Sequence, residues 1–248
     1  MHRDNRVVWL LRCAGWWALD YAYAGWWQLR SLISTARSSD FRSGRLRPVV
    51  VLPGVYEHWR FMRPLIEAVH RRGHPVHVID ALGMNLLPVE QAAAIVRDHL
   101  EANGLDRAVI LAHSKGGLIG KALMSREARE RPAGEGARIG RMIAICTPFS
   151  GSRYARLTRA PSLRIFSADD PALRALIVDT SVHARITSIS SRFDPHIPEG
   201  SELPGARNVR LDTGGHFRIL GRRQTIETVL EELAEDASTG GDPPCDTL

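Results

Sequence analysis

Short β-branched runs alternate with longer stretches of helical spacing through the middle of the chain. Pro48-Val49-Val50-Val51-Leu52-Pro53 is an unbroken apolar run, the pattern of a strand covered on both faces. Phe61–Arg72 places apolar residues at helical spacing and stops at Gly73. A second strand is expected at Val76–Ile79, ended by Asp80, then a helix over Val89–Asn103 closed by Gly104 and a third strand at Ala108–Ala112. A helix from about Lys115 to Arg129, a Gly- and Pro-rich loop and a strand at Met142–Cys146 come next. After an irregular stretch, strands at Arg185–Ser190 and Val209–Leu211 and a helix over Arg222–Ala237 complete the pattern. The alternation predicts an α/β fold, a mostly parallel sheet of about six strands with helices on both faces and right-handed crossovers. No internal repeat is found.

Residues 7–33 differ. They hold Trp9, Trp16, Trp17, Trp26 and Trp27, five of the six tryptophans. On a helix, Trp9, Trp16, Tyr23 and Trp27 share one face, and Ala14, Ala18, Ala22 and Gly25 line the opposite one. Arg12 and Asp20 interrupt the run, which therefore lacks the roughly 20 clean apolar residues of a spanning helix. A helix packed on the domain is the simplest reading; an interfacial membrane helix, favoured by the tryptophans, stays open beside it, and a signal or span fits least. The chain thus divides into a Trp-rich helix and polar linker (1–47), an α/β domain (48–237) and a tail (238–248) whose composition predicts disorder.

Composition adds limits. The 248 residues suffice for one domain with a full core. The net charge of +6 comes almost entirely from arginine, Lys115 and Lys121 being the only lysines, and it is scattered rather than gathered into a stripe. No nucleic-acid partner is expected from such a distribution. Cys13, Cys146 and Cys245 are odd in number and far apart, which builds neither a disulfide framework nor a CxxC site and is compatible with a reducing cytoplasm. Cys146 reads as a core residue. Nothing resembles HExxH or a comparable ligand spacing, so neither metal nor cofactor is expected.

The chemistry lies in Leu111-Ala112-His113-Ser114-Lys115-Gly116-Gly117, between an apolar strand and a helix. Small residues stand two positions either side of Ser114, as a serine in a tight, strained turn requires. The segment resembles the nucleophile elbow of the α/β-hydrolases, G-x-S-x-G, with Ala112 in the first glycine position as in small bacterial lipases and esterases. A helix-capping serine is the plain alternative. The resemblance covers about Pro48–Ala237 and implies an acid and then a histidine in loops after later strands. Asp194, in Asp194-Pro195-His196-Ile197-Pro198, and His216, in Gly214-Gly215-His216-Phe217, stand in those places. Asp80, Asp169, Asp170 and Asp212 are weaker candidates for the acid. Of the other histidines, His2, His70, His74, His99 and His183 are expected in solvent, His113 packed near the turn, and His58 and His196 at the surface or lining the cleft.

The same resemblance implies oxyanion donors at the amides of Lys115 and Val55, with that of Tyr56 second to Val55. Tyr56 and His113 are candidate substrate-binding residues, and the Lys115 side chain, where the chain departs from the family, is expected in solvent with a substrate contact as the alternative. Thr147-Pro148-Phe149-Ser150-Gly151-Ser152 resembles the lipase loop after the next strand, and the short insertion over Ser150–Ala184 leaves a small or absent cap. The implied activity is hydrolysis of a carboxylic ester, on a small-molecule or lipid substrate, through an acyl-enzyme. An acyltransferase or thioesterase with the same residues is the alternative, and a non-catalytic binding protein a further one. A cytoplasmic location is expected, with membrane contact through residues 7–33 left open and the oligomeric state unassigned.

Overall fold

The computed structural model describes residues 3–130, 136–157 and 160–239. A 31-residue helix, α1 (Arg3–Ile33), leads into the sheet domain. There β1 (Val49–Leu52), α2 (Arg63–Arg71), β2 (Val76–Val78), α3 (Val89–Ala102), β3 (Ala108–His113), α4 (Lys115–Glu130) and β4 (Ile139–Ile145) follow one another. Then come α5 (Pro171–Val178), β5 (Ile186–Phe193), β6 (Arg207–Gly214) and α6 (Arg223–Thr239). All six strands are parallel, in the order β2-β1-β3-β4-β5-β6. The expected sheet and its two helical layers are therefore present.

Alternation along each strand divides the core. Val50, Leu52, Ile110, Ala112, Met142 and Ala144 face α3, α4 and α5, and Val49, Val51, Val109, Leu111, Ile143 and Ile145 face α2 and α6. Both faces of the central strands are dry, which is why those strands read as continuous apolar runs. At the edge, β6 alternates buried and exposed positions over Arg207–Gly214, so the short apolar run at Val209–Leu211 underestimates its length. The expected helix over Phe61–Arg72 begins as a 3-10 turn at Trp59–Met62, and α2 proper starts at Arg63 beside Pro64, whose missing N–H suits a first turn. The tail at 238–248 lies outside the described residues except for 238 and 239, where the backbone continues α6.

The predicted aromatic face of α1 turns inward. Trp16 stacks on Phe193 at 6.2 Å and Tyr23 meets Phe61 edge-on, so the helix packs across the end of β6 and the turns beside it. No helix among the described residues is long and apolar enough to cross a membrane.

Candidate active site

Ser114 is the only residue between β3 and α4, and its φ of 50° lies in the left-handed region. For a non-glycine residue this costs about 1 kcal/mol or more, so the surroundings must hold it there. They do. The Ser114 amide donates to the Ile145 carbonyl and the Gly117 amide donates to that of Ser114. The glycines are obligatory: a Cβ on Gly116 would lie 2.1 Å from the Leu52 carbonyl oxygen, and one on Gly117 2.0 Å from Thr147 Oγ1.

His216 leaves the end of β6 and reaches back over the sheet. Its Nε2 is 3.0 Å from Ser114 Oγ and its Nδ1 2.8 Å from Asp194 Oδ2. Asp194 follows β5, and its other oxygen accepts the amides of His196 and Ile197 at 2.8 and 3.1 Å. Burial alone would raise the Asp194 pKa, but His216 and the amide donors outweigh it and bring the group to about 2. For His216 burial works downward, yet Asp194, with help from Glu57 and Asp20, carries its pKa above the ordinary 6.5. The arrangement joins a hydroxyl, an imidazole that gains basicity and a carboxylate that stays ionised. The weaker acids are occupied elsewhere: Asp80 accepts from Trp59 Nε1, Asp170 caps α5, Asp169 pairs with Arg174, and Asp212 pairs with Arg192 at the surface.

Cys146 Sγ lies within 4.8 Å of the facing Asp194 and His216 atoms, a set that could be read as metal ligands. Its chemistry does not fit. Full burial and the neighbouring Asp194 push the Cys146 thiol well up, so it remains a protonated core group, while Asp194 and His216 already bond each other.

Ser114 and His216 open on a cavity of about 310 Å³ whose wall is mostly apolar: Val55, Phe61, Ala155, Leu163, Phe166 and Phe217. The segment after β4 roofs it with 3-10 turns over Arg153–Leu157 and Pro161–Phe166, the small cap the short insertion predicts. Tyr56 lines the cavity, bonding Ser162 Oγ through its hydroxyl at 2.8 Å. Val55 is at the wall, and neither its amide nor that of Lys115 has a backbone acceptor among the described residues.

Four expectations about side chains fail. Lys115 is 1% exposed, not solvated: its Nζ donates to the carbonyls of Asn85 and Leu87, and burial lowers its pKa to about 8. His113 is packed near the turn as expected, but at 0% exposure it does not face the cavity as a substrate contact would. It bridges Glu57 Oε2 and the His216 carbonyl at 2.8 and 3.0 Å. His196 does line the cavity, its ring 4.9 Å from that of His216, and burial followed by the His216 charge lowers its pKa to about 4. His58 is half-buried against Trp59, away from the cavity wall. His74 and His183, expected in solvent, are buried, the latter between Lys121 Nζ and the Pro204 carbonyl.

Sequence reasoning missed two buried carboxylates. Glu57 holds the Gly54 amide at 2.8 Å as well as His113. Asp20, treated as an interruption of the α1 run, accepts the amides of His216, Phe217 and Arg218. The only signal for Asp20 was its place on the aromatic face, where a lone carboxylate must find donors.

A parallel sheet with helices on both faces and a strained turn between β3 and the following helix matches the α/β-hydrolase fold, and this chain has that fold. No family model matches the sequence, and no curated protein does. Solved structures match it well. A lipolytic enzyme of the metagenome-derived LipS and LipT pair superposes with a TM-score of 0.56 at 14% identity over 78% of this chain and 95% of its own. The monoacylglycerol lipase of Paleococcus ferrophilus gives 0.53 at 16% identity, over 77% and 96%. The 2-hydroxy-6-oxo-6-phenylhexa-2,4-dienoate hydrolase of a Rhodococcus strain gives 0.53 at 15%, over 77% and 91%. At these identities the likeness is one of fold.

Proposed function

We propose that the protein is a serine hydrolase that cleaves carboxylic esters through Ser114, His216 and Asp194. The observation that carries this reading is the unbroken chain Ser114 Oγ–His216–Asp194, with links of 3.0 and 2.8 Å, at the wall of an apolar cavity. His216 Nε2 takes the Ser114 proton as Oγ attacks the ester carbonyl, and Asp194 holds the imidazole and balances its new charge. The amides of Val55 and Lys115 receive the oxyanion. The imidazolium then protonates the departing alkoxide, leaving an acyl-serine. Water, deprotonated by His216, attacks that ester; the acid leaves and Ser114 regains its proton. Thioesters and acyl acceptors other than water would pass through the same acyl-serine.

The test is labelling with a fluorophosphonate probe. Wild-type protein labels at one serine, Ser114→Ala does not, and its esterase rate falls by about four orders of magnitude or more. A folded wild-type sample that takes no label refutes the assignment.

We further infer that the substrate is an acyl lipid met at a bilayer surface. Among described side chains of α1, Arg12, Asp20 and Arg30 are the charged ones; Asp20 is buried, and the two arginines lie over Trp16 and over Trp26 and Trp27. Among the described side chains the outward face is uncharged, and it exposes Val7, Leu11, Trp17, Trp26, Leu29 and Leu32. An apolar face with tryptophans and flanking arginines suits a headgroup layer, and Ala24 and Gln28 of the same helix line the cavity. Flotation with phosphatidylglycerol-containing vesicles is expected to carry wild-type protein upward and to lose Trp17→Glu/Leu29→Glu. Equal flotation of both, or of neither, refutes the inference.

A further inference from the structure

His216 is held at every polar atom. Its ring nitrogens meet Asp194 and Ser114, its carbonyl accepts from His113 Nε2 at 3.0 Å, and its amide donates to Asp20 Oδ2 at 2.8 Å. Three of these partners come from the sheet domain. Asp20 alone comes from α1, which lies outside the part of the chain that resembles the α/β-hydrolases. It is fully buried, and its other oxygen accepts the amides of Phe217 and Arg218 at 2.8 and 2.7 Å.

The loop is shaped to admit it. Gly214 and Gly215 precede His216, and a Cβ on Gly215 would stand 2.3 Å from Asp20 Oδ1. One on Gly214 would stand 2.3 Å from the Trp16 ring, one turn earlier on α1. The glycine pair that lets the backbone swing the imidazole over the sheet is also the slot into which α1 fits.

We propose that Asp20 is a positioning residue of the reaction, fixing the backbone from which His216 reaches Ser114 and lending a buried negative charge to the imidazolium formed in the transition state. This rests on the serine-hydrolase reading above. A base displaced by a fraction of an ångström loses rate steeply, so a clamp on its backbone acts on turnover rather than on substrate affinity. The charge acts on proton affinity. His216 is faced by Asp194 and His196 from the loop after β5, Glu57 and His113 from the β1 and β3 side, Cys146 beneath, and Asp20 from α1. Asp20 is one of the groups that raise its pKa.

The experiment uses the full chain with p-nitrophenyl butyrate and the fluorophosphonate probe. In Asp20→Asn, kcat and the labelling rate fall about ten-fold or more while KM stays within about two-fold, and the acid limb of the kcat/KM profile moves to lower pH. Asp20→Glu keeps the charge but misplaces it, so kcat falls while the limb stays. A kcat per labelled site within about two-fold of wild type, with an unmoved limb, overturns the proposal. Amide exchange of the wild-type protein needs no variant: the His216, Phe217 and Arg218 amides are expected to exchange as slowly as core amides, and rapid exchange also overturns it. Wild-type protein that takes no label defeats the parent reading; wild-type and Asp20→Asn proteins that label equally fast defeat only this one.

Discussion

Replacing Glu57 by Gln tests whether the buried pair under the candidate active site holds two loops together. The His216 carbonyl can only accept, so His113 Nε2 carries a hydrogen. One further proton lies between His113 Nδ1 and Glu57 Oε2, and Oε2 also receives the Gly54 amide. Whichever partner holds that proton, the pair is neutral overall and every contact at Oε2 is satisfied. A glutamine cannot reproduce this. Its oxygen can take the Gly54 amide, or its NH₂ can serve a neutral His113 Nδ1, but one atom cannot do both.

With Glu57 2% and His113 0% exposed, the orphaned group is dry. Breaking such a pair costs about 3 kcal/mol, and for a chain of this length lowers the melting temperature by roughly 6–12 °C. Because the Gly54 amide adjoins the proposed oxyanion donor Val55, kcat is expected to fall about ten-fold at temperatures where the variant is folded. Urea denaturation of Glu57→Gln, His113→Asn and the double variant forms the cycle. The double variant should be little less stable than either single one, a coupling of about 2 kcal/mol. A melting temperature within about 2 °C of wild type, or strictly additive losses, would refute the donor count.

The sheet, its helices and the tight turn at Ser114 were legible because their signals are local. Strands buried on both faces write themselves as runs such as Val49–Leu52, and the Ser114 turn declares itself by the glycines that steric contact with Leu52 and Thr147 demands. Asp194 and His216, the proposed acid and base, were picked out by the order of residues that the family resemblance implies. What stayed hidden depends on contacts across great sequence distance. Asp20 and His216 are separated by 196 residues, and no periodicity reports a carboxylate folded onto a loop that far away. Lys115 misled for a related reason. A lysine after a nucleophile reads as solvated unless the carbonyls of Asn85 and Leu87 are known to wait above it. The failures therefore share one kind of residue, the polar side chain buried against backbone groups.

Three further outcomes are expected. Gly116→Ala forces the end of β1 away from a Cβ otherwise 2.1 Å from the Leu52 oxygen, which should cost about 3 kcal/mol or more in urea denaturation and cripple activity. Lys115→Met strands one buried and one part-buried carbonyl and should lower stability by about 2 kcal/mol while leaving kcat within a few-fold, since the proposed oxyanion donor is the retained amide; a hundred-fold loss would mean the side chain itself takes part. The last concerns pH. His216 must be neutral to accept the Ser114 proton, and Asp194 raises its pKa against the pull of burial, so kcat/KM should rise with pH through a limb centred above the ordinary 6.5. Asp194→Asn removes the group that favours the cation, so the limb should move down while kcat drops by about 10⁴-fold. A wild-type limb at or below 6.5, or one indifferent to Asp194, would mean that another group titrates in its place.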